Sequence, residues 1–392
     1  MLQSTSIIRA YHRGIHISFG VIDFPDGQRN LTCLGSGHRT PEDFECLKGY
    51  IKELKRDHKL DICRIEFKPE SFRDFELLIA AVSTLRGTGF DRLELFMPYV
   101  LGARSDRQFT LNSTNYIKNV IAPLINALNF ESVIVFEPHS DVIESTINNV
   151  VQLFGMEDIL PDSTTPFRSL ALLADIEPET SLFIAPDAGA LKRVYKQVAE
   201  LELSDSNRLL CASKLRDVVT GDIIRTELTI PDTIVFSELE HIVILDDICD
   251  GGWTFIQLAK VINERMDSYF NEREFLKRPK LVLYVAHGIF SKGIDALFNY
   301  FDIILTTDSR IFPTTSVRTA MSGYGQLNEI VDLRSEKRHD TTAMVAYQEY
   351  SVDKHLYIRQ LNYFEDLEKI DLKLMDDSEY QTVCIINDDE DK

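Results

Sequence analysis

The stretch His241–Phe255, HIVILDDICDGGWTF, combines the residue types and spacing with the most definite chemistry in the chain. Ile242–Leu245 is an unbroken apolar run that suits a strand covered on both faces. Adjacent carboxylates Asp246 and Asp247 follow, then Asp250, Gly251, Gly252 and Thr254. From Phe255 onward, Phe255, Leu258, Val261 and Ile262 recur at helical spacing. A strand ending in acids, a tight glycine turn and a helix N-terminus form a cup for a phosphorylated sugar. Backbone N–H groups and the helix dipole meet the phosphate, and the carboxylates accept hydrogen bonds from ribose hydroxyls. A calcium-binding EF-hand loop does not fit, because acids at alternate positions and a Glu at the twelfth are missing. The plain alternative is an ordinary strand-to-helix turn with solvated acids.

A second cluster lies in the first half. Arg104 and Arg107 stand three apart just beyond a strand expected at Arg92–Met97, where two guanidinium forks can grip a polyphosphate. Taken alone, Arg104-Ser105-Asp106-Arg107 is equally a surface salt-bridge network. His139 follows the next strand, a position where a lone histidine is more often structural than a ligand. Gly35-Ser36-Gly37 lacks a third glycine in register, which argues against a dinucleotide fingerprint.

The elements that must position these residues alternate. Short strands over 7–34, turning at Phe24–Gly27, lead to a helix at 41–56 that starts at Pro41 and ends in Lys and Arg. Strands at Ile62–Phe67, Arg92–Met97 and Val133–Phe136 then alternate with helices at Phe72–Leu85, Ser113–Leu128 and Val142–Val151. The second half repeats the rhythm: strand Ser181–Ile184, helix Gly189–Leu201, strand Arg208–Ala212 and a β-rich excursion over 217–235. The opening motif follows, then strand Leu281–Ala286, helix Phe290–Tyr300 and strand Asp302–Thr306. The expected fold is α/β: two tandem domains with mainly parallel sheets flanked by helices, plus a C-terminal extension. The domains are placed at 1–160 and 161–325, with the boundary near 155–165. The extension, 326–392, has weak strand signals, a helical stretch over 355–375 and a solvated acidic tail.

Bulk properties limit the partners. A net charge of −20 without a Lys/Arg run argues against nucleic acid and against an anionic membrane surface. The six cysteines form no CxxC pair, which suits reduced thiols, and no apolar run is long enough to span a bilayer. The expected location is cytoplasmic.

In order along roughly residues 15–310, these motifs resemble the ribose-phosphate pyrophosphokinase (PRPP synthetase) family. His241–Phe255 resembles the ribose-phosphate loop that this family shares with type I phosphoribosyltransferases. Pro98-Tyr99…Ala103-Arg104-Ser105-Asp106-Arg107 resembles its ATP-binding segment. Ser71–Asp74, His287–Phe290 and Thr306–Ser309 also look like the family. Glu137-Pro138-His139 matches an acid–x–His element, and Pro186-Asp187-Ala188-Gly189 resembles its PDxG element. Ser213-Lys214-Leu215-Arg216 resembles the start of a mobile catalytic flap. Phe24-Pro25-Asp26-Gly27-Gln28 resembles a loop that holds adenine and comes, in the family, from a neighbouring subunit.

The resemblance implies type I phosphoribosyltransferase-like domains, magnesium as cofactor, and ATP with ribose 5-phosphate as substrates. The anomeric hydroxyl would attack the β-phosphorus of ATP, giving PRPP and AMP. It implies catalytic roles for Lys214, Arg216 and Arg104, and ATP contacts for Phe24, Asp26, Gln28, Arg104, Asp106, Arg107 and His139. Sugar-phosphate binding falls to Asp246, Asp247, Asp250, Gly251, Gly252, Trp253 and Thr254, and magnesium contacts to His139 and Asp187. A homo-oligomer, dimer or hexamer, is implied as well. A phosphoribosyltransferase would share the 246–254 loop without Arg104–Arg107, His139 and Phe24–Gln28.

The chain departs from the family at one telling place. The usual phosphate turn, Asp-Thr-Gly-Gly-Thr, is here Asp250-Gly251-Gly252-Trp253-Thr254. One hydroxyl donor is gone, and the chain's single tryptophan offers a flat face on which a base could stack. The alternative acceptor is therefore a phosphodiester such as ADP-ribose, giving ADP-ribose 1-pyrophosphate, as in PRPP-synthetase-like enzymes linked to NAD salvage, notably in phages. The alternative placement has Trp253 packed outward on its helix and ribose 5-phosphate as acceptor. Residues 35–60 are longer than the family's hairpin, and the segment beyond 325 does not follow its ending. A non-catalytic regulatory homologue is the reading from another class; such proteins lose flap or ATP residues, which this chain retains.

Overall fold

A computed structural model describes residues 3–4, 8–12, 15–35, 41–56, 62–108, 110–153, 176–199, 201, 206–216, 223–271, 273, 275–307, 309–310, 345–346 and 357–361. The first sheet contains β1 (Gln3–Ser4), β2 (Ile8–His12), β3 (Ile15–Asp23), β4 (Arg29–Gly35), β5 (Cys63–Phe67), β6 (Leu93–Phe96), β7 (Ser132–Phe136) and β8 (Val150–Leu153). Its order is β1-β3-β2-β5-β6-β7-β8, with β4 on β3. Between these strands lie α1 (Pro41–Arg56), α2 (Phe75–Thr88), α3 (Ala122–Ala127) and α4 (Val142–Thr146). Strands β5 to β8 are parallel, whereas β1 to β4 pair antiparallel. For β3 and β4 the short Phe24–Gln28 turn, closed by Phe24 N–H to Gln28 O at 2.8 Å, requires this.

The second sheet runs β10 (Leu209–Cys211), β9 (Ser181–Ala185), β13 (His241–Cys249), β14 (Lys280–Gly288), β15 (Ile303–Thr307), β17 (Tyr357–Leu361), β16 (Val345–Ala346). Helices α5 (Ala188–Ala199), α6 (Trp253–Phe270) and α7 (Asp295–Phe298) connect its strands, and β11 (Ser213–Arg216) with β12 (Ile223–Glu227) forms a separate ribbon. All its pairs except β16–β17 are parallel. Strand β13 lies between β9 and β14 and is buried along nearly its whole length, as expected of a continuous apolar run under two helical layers.

Four expectations change. The helix placed at Val142–Val151 stops at Thr146; Val150 and Val151, after a positive-φ Asn149, enter β8 and pair with β7. The helix placed at Phe290–Tyr300 shrinks to Asp295–Phe298, because Phe290 has φ +46° and Gly293 φ +78°, both outside helical space. Residues 357–361, placed in a helix over 355–375, form a strand beside β15. Asp246 and Asp247 lie inside β13 rather than beyond its end. The expected domain boundary and the acidic tail fall outside the described residues. Among the described residues no helix is long and apolar enough to cross a membrane.

An apolar seam joins the halves: Phe96, Phe136 and Leu153 pack with Phe183, Val243, Leu245 and Tyr284. Polar contacts stitch its rim. Arg310 donates to Pro69 O at 2.7 Å, and its guanidinium lies 5.3 Å from the Tyr99 ring centre. His287 is buried, with Nε2 at 3.1 Å from Phe136 O and 3.2 Å from Glu137 O. Facing two carbonyls, Nε2 must carry the hydrogen, so Nδ1 accepts from Ser309 Oγ at 2.8 Å.

Burial pushes the His287 ring down to about 4, against an ordinary 6.5. Above pH 6.5 the ring is neutral folded or unfolded. Below it, the unfolded chain takes up a proton that the fold refuses, so stability falls toward pH 4 by at most about 1.4 kcal/mol per pH unit. Glu137, buried beside it and pushed up to about 8, acts oppositely: its contribution is lost as pH rises from 4.5 to 8. A difference measurement separates them. The stability advantage of the wild type over His287→Gln, measured by urea denaturation, should shrink from pH 7 to pH 5; a pH-independent difference contradicts the assignment.

Candidate active site

The site forms where β13 ends. After Cys249 the chain turns through Asp250, Gly251 and Gly252 into α6. Gly252 is the N-cap, with φ +77°, and a Cβ there would lie 3.1 Å from Leu297 Cδ2. Both facts demand glycine. The loop after β14 closes over this turn, with Ile289 N–H and Phe290 N–H both donating to Cys249 O at 2.9 and 3.1 Å. The loop can lie that close because Gly288 has no side chain: a Cβ would fall 2.2 Å from the Phe290 ring. Trp253 opens α6, and the first-turn amides lack intrahelical acceptors, so they face whatever occupies the turn.

One strand residue organises the carboxylates. Asp247 is 2% exposed, yet both of its oxygens have partners. Oδ2 lies 2.6 Å from His139 Nδ1, and Oδ1 lies 3.0 Å from Arg193 Nη1. The same guanidinium is 3.6 Å from Asp246 and donates to His139 O at 3.4 Å. Burial pushes Asp247 up, but the His139 hydrogen bond and the Arg193 charge outweigh it and hold the carboxyl well below the usual range. Asp246 goes the other way: burial, then the charge of Asp247, raises it well above the usual range. The two adjacent carboxyls are thus shifted in opposite directions, Asp247 down by its histidine and arginine and Asp246 up by burial and by Asp247.

A cleft of about 580 Å³ gathers the expected residues from both halves. Arg104, Asp106, Arg107 and His139 line one side; Asp187, Asp246, Asp247, Asp250, Gly251, Gly252, Trp253 and Thr254 line the other. Arg104 approaches Asp250 at 3.8 Å, while Arg107 lies 3.7 Å from Asp106. Asp187 caps α5: its Oδ1 accepts from Gly189 N–H and Ala190 N–H at 3.0 and 3.1 Å. Trp253 is 62% exposed at the lip, and Lys260 Nζ stands 5.9 Å from its ring centre. Lys214 and Arg216 lie on the backbone of β11. That ribbon leaves the sheet at Ala212, whose N–H bonds to Ala185 O two residues before Asp187. Phe24, Asp26 and Gln28 sit on the β3–β4 turn, outside this cleft. Arg73, donating to Gly27 O at 2.8 Å, pins that turn to the start of α2.

Sequence reasoning missed Arg193 and Gln197, and named Glu137 only as the acid of the acid–x–His element. Gln197 donates to both Glu137 oxygens at 3.2 and 3.1 Å, beneath His139. A signal was present: Arg193 and Gln197 lie at i and i+4 beside the buried stripe Ala190, Val194 and Val198. Two large polar residues at that spacing on a packed face mark polar partners across the interface.

Among the described residues no group of three His, Cys, Asp or Glu side chains is placed to hold a metal. The carboxylates of Asp106, Asp187, Asp246 and Asp250 that line the cleft are the hard oxygen donors that magnesium takes, so the donor set fits that ion. With Nδ1 turned to the ionised Asp247, His139 offers Nε2 to the cleft, an arrangement common behind metal-facing histidines.

No protein-family model matches the chain. Among curated proteins it is similar to the ribose-phosphate pyrophosphokinase of Thermococcus kodakarensis, 22% identical over 295 residues, covering 75% of this chain and 86% of that one. That of Pyrococcus furiosus is 23% identical over 277 residues, covering 68% and 84%. That of Sulfurisphaera tokodaii is 26% identical over 196 residues, covering 50% of this chain and 61% of that one. Among solved structures it is similar to the phosphoribosylpyrophosphate synthetase of Mycobacterium smegmatis, with a TM-score of 0.52 and 12% identity, covering 78% of this chain and 89% of that one. At that identity the likeness establishes the fold.

The glycine turn after β13 generates a direct test. Gly252→Ala places a side chain at positive φ against Leu297, and should lower stability in urea by about 1–2 kcal/mol. Stability unchanged to within a few tenths of a kcal/mol would mean that the turn tolerates another backbone conformation.

Proposed function

We propose that this chain, which resembles the ribose-phosphate pyrophosphokinases in sequence and fold, is a Mg-ATP-dependent diphosphotransferase acting on a ribose phosphate. The observation carrying this reading is that the Arg104–Arg107 and His139 elements share one cleft with the β13 phosphate turn. An ATP triphosphate and a sugar phosphate can therefore meet in one cleft. The anomeric oxygen forms a bond to the β-phosphorus; the bond from that phosphorus to the α,β-bridging oxygen breaks, AMP leaves, and the hydroxyl proton is released. Such transfers ask a protein chiefly to position the groups and to neutralise charge.

The residues divide accordingly. The 250–254 turn and the α6 amides receive the 5-phosphate, and the carboxyl-bearing end of β13 receives the ribose hydroxyls. Arg104 and Arg107 grip the triphosphate. Lys214 and Arg216, carried by the ribbon, meet charge on the transferred group and on leaving AMP. Magnesium held by His139, Asp187 and phosphate oxygens would neutralise polyphosphate charge. Because Phe24–Gln28 lies outside this cleft, a second copy of the chain is the natural donor of the adenine loop, which supports a homo-oligomer.

A second reading concerns the acceptor. Trp253 lines the cleft with its ring largely exposed rather than packed away. A phosphodiester acceptor carrying a base, such as ADP-ribose, could stack there. Ribose 5-phosphate remains the first choice, because the curated relatives are ribose-phosphate pyrophosphokinases.

AMP release from Mg-ATP should accompany turnover of ribose 5-phosphate at least about tenfold faster than turnover of ADP-ribose. The reverse ranking would exchange the two readings, and no AMP with either sugar would overturn both. Lys214→Ala should abolish turnover while leaving ATP affinity, measured by calorimetry, largely intact; near-normal turnover would remove Lys214 from the mechanism.

A further inference from the structure

We infer that Asp247 is a positioning residue rather than a sugar ligand: together with Arg193 it fixes the His139 imidazole, and Asp246 is the carboxyl left to meet ribose hydroxyls. The inference deepens the proposed activity and rests on that activity for its kinetic part alone.

Three observations support it. Both oxygens of Asp247 are engaged, one by His139 Nδ1 at 2.6 Å and one by Arg193 Nη1 at 3.0 Å. The Asp247 side chain is 3% exposed, whereas Asp246 keeps 18%. A sugar hydroxyl would have to displace one of two charge-assisted contacts to reach Asp247, and losing either would leave a buried charge short of a partner. Asp246 has no contact with His139. Its polar neighbours are the Asp247 N–H, 2.9 Å from Oδ1, and Arg193 at 3.6 Å, the longer of the two guanidinium approaches. Arg193 completes the unit by also donating to His139 O at 3.4 Å, so one guanidinium holds both the backbone of the loop and the carboxylate that orients its ring. His139 is thereby restricted to the tautomer with hydrogen on Nδ1, and Nε2 is aimed into the cleft.

The arrangement reaches across the two halves. His139 follows β7 of the first sheet, Asp247 lies in β13 of the second, and Arg193 comes from α5. A contact at the point where the triphosphate and sugar sides meet sets the distance between them. Its loss should therefore slow transfer more than it weakens binding of either substrate.

The test uses the full-length chain with 15N-labelled histidine, His139 being identified by its disappearance in His139→Gln. Without substrates, the wild type and Asp246→Asn should show the Nδ1–H tautomer, and Asp247→Asn and Arg193→Met should lose that preference. In kinetics, Asp247→Asn and Arg193→Met should lower kcat by about tenfold or more with sugar KM changed less than about threefold. Asp246→Asn should instead raise sugar KM by about tenfold. Arg193→Lys, which restores one charge without the fork, should recover part of the lost kcat. A wild-type tautomer in Asp247→Asn overturns the inference whatever the kinetics, and so does a sugar KM that rises as much in Asp247→Asn as in Asp246→Asn. Absence of turnover in the wild type would end the proposed activity, and the tautomer spectra would still decide the positioning role.

Discussion

The buried charge of Asp247 is the constraint around which the molecule is arranged. A carboxylate inside a central parallel strand is costly unless it is paired and fully hydrogen-bonded. The chain solves this with a histidine from its first half and an arginine from the helix packed over the strand. The solution works only if the two sheets are seated on each other, and the apolar seam of Phe96, Phe136, Phe183, Leu245 and Tyr284 does the seating. By excluding water, the seam also strengthens every polar contact on its rim. The neutral His287, locked between two carbonyls and Ser309, continues that rim on the far side.

From this junction the site follows. Ligands in open α/β sheets bind beyond the carboxyl ends of strands, and here the ends of β7, β9 and β13 converge on one cleft. The turn after β13 takes its shape from its glycines. Gly252 takes a left-handed conformation under Leu297, and Gly288 admits Phe290 and Ile289 against the end of β13. Trp253 in place of a small residue leaves an aromatic face at the entrance, in line with α6 and Lys260.

Much of this was legible in the sequence. Helix α1 was placed from its Pro41 start and basic end, and the strands on either side of the junction from their continuous apolar runs. The cleft residues Arg104 and His139 stand out through the resemblance to the pyrophosphokinase family, since an Arg-Ser-Asp-Arg cluster and a lone histidine after a strand are each ambiguous alone. Asp246 stands out through its place in the strand–acid–glycine–helix pattern. What could not be read was physical in origin. Adjacent acids normally end a strand; that β13 continues through Asp246 and Asp247 depends on His139, 108 residues away. Arg193 carried only a spacing signal, since its value comes from a partner on another strand. Residues 150–153 and 357–361 are short segments whose state is decided by an available sheet edge, not by local preference.

Diphosphoryl transfer across this junction is the central claim, and the bond made is its most direct test. Phosphorus NMR of the chain with Mg-ATP and ribose 5-phosphate should show AMP together with a sugar 1-pyrophosphate, its two coupled phosphorus resonances growing in step with AMP. ADP with a sugar bisphosphate, or free pyrophosphate with unchanged sugar, would contradict it.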